Sequence, residues 1–400
     1  MADRLQCQVM PYAWGSRAAI ARLQGRPVPS PGPEAELWMG AHVLGSARLR
    51  RGDRDVTLLD LIARAPDKEL GPSVAGRFGP RLPFLMKVLA AEQPLSLQAH
   101  PTAEQAAAGF ADEQRRGVPL EAPTRNYKDP HHKPELICAL TPFDALCGFR
   151  HAADTVDLFE ALTVPGLDVL IDPLRADPSA SGLARVTRTL LTMDAANAAT
   201  LVEQAIAACA AHRGRWQREA AWAVRLAAQY RGDRGVLVAL LLNLVTLEPG
   251  QAIYLDAGNL HAYLSGVGVE IMASSDNVLR GGLTPKHVDV PELLRVLDFS
   301  NGPVAVRQPR AVAPDEDTWD TPAAEFRLSR MTVREVPQTR VVSGPELLFC
   351  QQGDVRLETA DGTPDVVFRS GEAVFVPASS SSYSVRGDAT VFRAMPGRVD

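Results

Sequence analysis

Two stretches far apart in the chain carry the same pattern, and this constrains the fold more than any single motif. Gly250-Gln251-Ala252-Ile253-Tyr254-Leu255-Asp256-Ala257 aligns with Gly371-Glu372-Ala373-Val374-Phe375-Val376-Pro377-Ala378. In each, a glycine turn leads a short apolar strand and a tight turn follows. A repeated pattern marks a repeated structural unit, so the chain reads as two related β-barrels. The first copy continues through Gly258-Asn259-Leu260 to His261, whereas the second has Ser382 where that histidine would stand. Only the first barrel is therefore expected to carry a metal.

Ahead of the first copy the composition shifts. Residues 181–230 are alanine-rich, contain no proline, and have Gly182 and Gly214 as their only glycines. Leu183, Val186 and Leu190 share one helix face; Ala198, Leu201, Val202 and Ala205 repeat that spacing; Trp222 and Leu226 lie one turn apart. The fold class is mainly β with a helical insertion. The first barrel is expected to begin in residues 1–149, to be interrupted by a helical insertion over 150–245, and to finish in 246–325. A second barrel follows in 326–400. Residues 301–325, polar and proline-containing, read as a connector. Within the first part, Thr102 and Gln105 form a capping-box pattern that predicts a helix ending near Gly117.

Three segments supply candidate metal ligands. The run Tyr127-Lys128-Asp129-Pro130-His131-His132-Lys133-Pro134-Glu135 is stiffened by prolines and leads straight into the apolar Leu136-Ile137-Cys138-Ala139-Leu140. Fixed charges at a strand start suit a metal or catalytic site better than a solvated loop. In Leu95-Ser96-Leu97-Gln98-Ala99-His100-Pro101, alternation puts Ser96, Gln98 and His100 on one face. Gln98 and His100 then lie about 7 Å apart by strand rise, close enough to converge on one ion. His261 is the third source. Gln98, His100, Glu135 and His261 together offer two neutral imidazoles, a carboxylate and an amide oxygen. Such N and O donors suit zinc, and the weak amide donor favours a Lewis acid over an oxygen-activating centre.

The segment ending at His261 is similar to the second metal-binding motif of cupin barrels, with Asp256 where proline is usual. The chain as a whole resembles type I mannose-6-phosphate isomerase (phosphomannose isomerase), of the cupin superfamily. The matching pieces are Tyr12-Ala13-Trp14-Gly15, Ala35 to Gly40, Pro83 to Leu89, Leu95 to Pro101, Tyr127 to Glu135 and Ser275 to Lys286, in family order. One departure is plain: His131 sits where the family usually has Asn, and His132 is the matching histidine. The resemblance implies two cupin-type jelly-roll barrels plus an α-helical domain. It implies one zinc ion per chain on Gln98, His100, Glu135 and His261. It marks Arg280 as the active-site arginine and places Lys286, Lys133 and Ser96 around the sugar phosphate; Tyr263, near Glu270, is a further candidate substrate contact. The activity implied is interconversion of mannose 6-phosphate and fructose 6-phosphate, feeding mannose and GDP-mannose metabolism.

Such a reaction moves a proton between adjacent carbons, so a base must lie within hydrogen-bond reach, and cations must offset the phosphate and the developing negative charge. Arg280 and Lys286 lie in one glycine-containing segment. Glu270 and Lys133 are both candidate bases, and the sequence does not choose between them. Glu270 lies on the opposite strand face from Val269 and Ile271. His42, His151 and His212 lie outside every motif, and no role is read for them.

Composition sets the remaining bounds. The net charge of −5 provides no global basic field for nucleic acid or anionic membrane, and no apolar run approaches a membrane span. The expected partner is a small sugar phosphate. Cys7, Cys138, Cys147, Cys209 and Cys350 are odd in number and lack paired spacing, which fits reduced thiols in a cytoplasm. A monomer is expected, with an oligomer left open. Two other readings compete: a metal-dependent cupin oxygenase, against which Gln98 and the Arg280/Lys286 pair argue, and a non-catalytic sugar-binding cupin, which predicts ligands lost from both barrels.

Overall fold

A computed structural model describes residues 2–360 and 362–397. The first barrel is built on one long strand, His261–Ala273. Its first half pairs with Leu97–Ala99 and Phe143–Phe149; its second half pairs with Phe84–Ala91 and Glu135–Ala139. The strand turns the corner between two sheets at Gly266, which has φ 119°. A Cβ there would lie 2.7 Å from the Pro142 carbonyl oxygen, so only glycine permits the bend. The corner lets His261 and Glu270 leave different sheets and face the same interior.

Both outer faces of this barrel are covered. Met86, Val88, Leu136, Cys138, Val269 and Ile271 pack in one cluster with Trp319, Leu347, Phe349, Phe375 and Phe392 of the second barrel. Leu146, Phe149, Leu260, Ala262 and Leu264 pack against the helical insertion. Each Val, Leu, Ile, Phe or Met among them is worth about 1.5–3 kcal/mol when buried, so both contacts are core rather than hinge. Phe84–Ala91 is consequently buried at every position, Lys87 included.

The insertion comprises Ala152–Leu162, Asp168–Ala176, Ala180–Thr192, Ala195–Ala211, Gln217–Gln229 and Gly235–Ala239. The expected face residues Leu183, Val186, Leu190, Ala198, Leu201, Val202, Ala205, Trp222 and Leu226 are all buried. The capping box of Thr102 and Gln105 opens a helix over Ala103–Arg115. Short helices at Ala19–Leu23, Leu58–Arg64, Pro66–Glu69 and Pro72–Phe78 were not read from the sequence. No helix among the described residues is long and apolar enough to cross a membrane.

The repeat is visible in three dimensions. Ala252–Leu255 and Ala373–Val376 each follow a left-handed glycine, Gly250 or Gly371. Each precedes a long bent strand, His261–Ala273 or Ser382–Met395, the second turning at Gly387 with φ 144°. Two expectations need correction. Residues 301–325 do not form a connector: Arg310–Ala313 and Glu316–Thr318 make a hairpin that extends the second barrel's sheet through Arg327–Val333. Their polar surface hid one anchor, Trp319, which is fully buried, stacks on Phe392 and donates to the Gly250 carbonyl at 2.9 Å. Ser382 does begin its strand as His261 does, but it does not take the ligand's orientation. Tyr383 is the residue that enters the second barrel's core, and successive strand residues face opposite ways.

Strand register identifies what fills the second barrel. Glu135 pairs with Leu255, and Glu346 pairs with Val376, the last residue of the matching strand. Glu270 pairs with Ile137, and Arg393 pairs with Leu348. Glu346 thus stands at the position of Glu135, and Arg393 at that of Glu270. The Arg393 Nε donates to Glu346 at 2.7 Å, Tyr383 donates its hydroxyl to the same carboxylate at 2.8 Å, and Arg393 reaches Glu316 at 3.3 Å. All four side chains are buried. A guanidinium built into the chain neutralises this carboxylate.

Arg393→Leu should leave the buried Glu346 without its cation, while Glu316 keeps Arg340 at 3.3 Å, at a cost of about 3–5 kcal/mol. A lowered denaturation midpoint with metal content unchanged is the expected result. An anomalous-scattering peak within residues 340–390 of the wild-type protein would show that the second barrel takes a metal after all.

Candidate metal centre

The interior of the first barrel holds a cavity of about 390 Å³. At its base, His100, Glu135 and His261 are buried and their donor atoms lie within 4.8 Å of one another. His100 Nε2 is 3.3 Å from Glu135 Oε1, and His261 Nε2 is 3.6 Å from Glu135 Oε2. Each ring is fixed from behind. His100 Nδ1 lies 2.6 Å from the Asn277 carbonyl, and His261 Nδ1 lies 2.9 Å from the Asn259 carbonyl. A carbonyl only accepts, so each Nδ1 carries the proton and each Nε2 presents a lone pair.

The electrostatics then call for a cation. Burial pushes His100 down to about 4, so it is neutral near pH 7. Burial alone would raise Glu135, but the Lys133 ammonium, 3.0 Å away, holds it well below the usual carboxylate range. Two imidazole lone pairs therefore face a carboxylate, and neither Nε2 has a hydrogen-bond partner among the described residues. Unsatisfied buried acceptors grouped around one point fit a bound metal ion. Gln98 stands between His261 and Arg280 in the register of three adjacent strands and lines the same cavity.

The stiff loop that precedes Glu135 is held by Asn277. Its side-chain oxygen accepts from Lys128 N at 2.7 Å, and its amide donates to the carbonyls of Asp129 and His131 at 2.7 and 2.8 Å. The same residue's own carbonyl orients His100. One asparagine thus couples the orientation of two candidate ligands. His131, the departure from the family pattern, is half-buried and lowered by burial, with Arg81 adding to the effect. His132 pairs with Glu325 at 2.7 Å and does not line the cavity.

Every site residue expected from the sequence borders this space or its base: Ser96, Lys133, Tyr263, Glu270, Arg280 and Lys286 line the cavity with Gln98 and Glu135. Burial raises Glu270, with the Glu135 and Glu36 charges adding to it against the pull of Lys87, 3.1 Å away. Burial, then the Glu270 charge, holds Tyr263 well above its ordinary range. Burial lowers Arg280; Lys286 is lowered by burial and by the Arg280 charge. Neither cation has an ion-pair partner among the described residues, so this side of the cavity is open to an anion.

Several lining residues were not assigned from sequence. Lys87 is buried between Glu270 and Glu36; burial would push it down, but the Glu36, Glu270 and Glu135 charges together hold it above its ordinary range. Its signal was available: it is the single charge in the apolar run Pro83 to Leu89. His42, read without a role, lines the cavity and lies 3.3 Å from Asp276. Burial would raise Asp276, but the hydrogen bond from His42 keeps it below its ordinary value. Tyr230, from the end of the helical block, also lines the wall. No local pattern marks either His42 or Tyr230, because both reach the cavity only through tertiary packing.

Comparisons with known proteins show which family the chain resembles over its length. Residues 3–152 match the family model of the phosphomannose isomerase type I catalytic domain. The chain is 40% identical over 396 residues to the mannose-6-phosphate isomerase of Escherichia coli K12, covering 98% of each. It is 34% identical over 424 residues to that of Homo sapiens, covering 98% of this chain and 97% of the human one. A crystal structure of the Salmonella typhimurium mannose 6-phosphate isomerase bound to fructose 6-phosphate and zinc is 37% identical, with a TM-score of 0.90 over 99% of this chain and 100% of that one. A point variant of the Salmonella enzyme superposes with a TM-score of 0.91 over 99% of each chain.

His261→Ala removes one of the two orphaned imidazole nitrogens. Metal content measured by plasma mass spectrometry should fall from one ion per chain to near zero, since one of the two imidazoles in the His100, Glu135 and His261 cluster is gone. Full metal content in the folded variant would show that the ion is held elsewhere.

Proposed function

The chain belongs to the type I phosphomannose isomerases, and from that premise we propose that it interconverts mannose 6-phosphate and fructose 6-phosphate with one zinc ion on Gln98, His100, Glu135 and His261. The observation that carries this reading is the pair of buried, unpartnered imidazole nitrogens facing Glu135 beside two unpaired cations. The ion, when bound, polarises the sugar's carbonyl and hydroxyl oxygens and offsets the negative charge that develops on them. No redox activity is asked of it, and the N and O donor set suits a Lewis acid.

The chain's own residues divide the remaining work. Lys286, at the open end of the cavity, holds the phosphate. Arg280, next to Gln98 in strand register, offsets charge at the reacting carbons. Glu270 takes the proton from C2 of the aldose and delivers it to C1, while the C2 hydroxyl proton passes to the C1 oxygen, so the aldehyde becomes an alcohol and the C2 alcohol a ketone; the Lys87 ammonium sets the place of Glu270. Two features favour Glu270 over Lys133 as the base. Burial raises its carboxyl toward the operating pH, where a general base is most effective. Lys133 is occupied with Glu135 and serves the metal cage. Ser96 and Tyr263 complete the wall that orients the sugar. The active form is read as a monomer in a reducing cytoplasm; its five cysteines are free, and four of them are buried.

A coupled assay for fructose 6-phosphate formation, with metal analysis on the same sample, tests the function. Zinc-loaded protein without isomerase activity would reject it. Arg280→Ala should cut kcat by about 10²–10³, as expected when a donor to developing charge is lost, with zinc retained. Lys286→Ala should mainly raise KM, by about tenfold, because it contributes equally to ground and transition states. Near-normal kcat in folded Arg280→Ala would move the catalytic charge to another residue.

Glu270→Gln keeps the shape and leaves Lys87 paired with Glu36. It should lower kcat by about 10²–10⁴, the usual worth of a general base. A loss of that size in Lys133→Met with Glu270→Gln near normal would reverse the assignment.

A further inference from the structure

The turn from Tyr230 to Gly235 is where the helical insertion meets the cavity, and it carries a carboxylate that the mechanism above does not use. Asp233 Oδ1 accepts from Gly235 N at 2.7 Å, a bond within its own turn. Its Oδ2 accepts from Thr284 N at 3.3 Å, a bond that crosses from the insertion to the first barrel. Thr284 lines the cavity between Arg280 and Lys286. The Asp233 N–H donates to the Tyr230 carbonyl at 3.2 Å, so the same turn sets the Tyr230 ring on the cavity wall.

The backbones meet closely at this point. A Cβ on Gly282 would lie 2.7 Å from Gly235 Cα, and one on Gly235 would lie 2.7 Å from Leu283 N. Leu283, fully buried, has φ 55°, a left-handed conformation that branched side chains disfavour. Such a conformation persists only where the surroundings hold it. Next along the chain, the Thr284 hydroxyl accepts from Lys286 N at 3.1 Å. The path from Arg280 to Lys286 is therefore fixed by contacts with the insertion. Asp233 makes no ion pair with Arg280 or Lys286 among the described residues; its oxygens are used on amides, and the two cations remain free for an anion.

We propose that Asp233 is a positioning residue for phosphate recognition: by holding the backbone at Thr284, beyond Arg280, it sets where the Lys286 cation stands. This rests on the isomerase reading for the identity of the substrate, but not for the anion site itself. The role is on ground-state binding, so it should appear in KM rather than in kcat.

The test measures fructose 6-phosphate kinetics, inorganic phosphate binding by calorimetry, zinc content and melting temperature for wild type, Asp233→Ala and Asp233→Asn. Asp233→Ala should raise KM and the inorganic phosphate Kd together, by about tenfold, as expected when charge-assisted contacts are misplaced. Its kcat should stay within about threefold of wild type, since uniform binding leaves kcat unchanged, and zinc should be retained. Asp233→Asn keeps one acceptor oxygen and should fall between. If Asp233→Ala does not fold, Asp233→Asn decides on the same two constants. Unchanged KM and phosphate Kd in a folded variant would overturn the proposal, as would a loss of kcat and zinc with KM unchanged. Phosphate binding needs no turnover, so an inactive wild type would reject the isomerase reading while still testing Asp233.

Discussion

A carboxylate taken out of water costs several kcal/mol unless opposite charge and hydrogen bonds are supplied, and the first barrel is organised around that cost at Glu135. The side chain is buried, Lys133 lies at 3.0 Å, and two imidazoles turn lone pairs toward it. Lys133 alone does not relieve the imidazoles, which need a cation of their own to face. The surrounding structure keeps them from turning away: the Asn277 and Asn259 carbonyls hold the ring protons on the far side. The fold itself thus holds both rings and the carboxylate in the arrangement a cation requires.

The second barrel meets the same problem in a different way. Its Glu346 occupies the matching place in the strand pairing, and there the cation is Arg393. One frame therefore serves two purposes. Where the cation is exchangeable, the carboxylate can hold a Lewis acid beside a cavity; where it is a covalently attached guanidinium, the barrel closes into a core that supports its neighbour. The apolar seam between the barrels, centred on Trp319 and Phe392, makes that support direct. The helical insertion supports the other sheet; its Tyr230 borders the cavity and its Asp233 holds Thr284 of the cavity wall.

Much of this was legible in the chain. The glycine-led repeat carried two barrels, because a left-handed turn before a strand needs glycine wherever it recurs. Gln98, His100, Glu135 and His261 stood out because strand alternation and stiff proline turns fix side-chain direction locally. The helical faces of the insertion followed from 3.6-residue periodicity, and Thr102 with Gln105 placed a helix start because capping is a contact between near neighbours. The stretch 301–325 misled, since its polar residues cover a hairpin whose membership depends on pairing with Arg327–Val333.

What the sequence determined by itself is therefore the set of local commitments: the repeat, the helical block, the ligand types, and the family to which their order corresponds. Tertiary structure alone decided which residues meet. His42 and Tyr230 reach the cavity from segments with no motif, and Tyr383 rather than Ser382 faces the second interior. Arg393 lands on Glu346 through strand register across a large sequence separation. Local propensity depends on neighbours along the chain, and the patterns that encode it are short. Cross-strand register and domain packing depend on how whole faces fit together, and no short pattern carries that information.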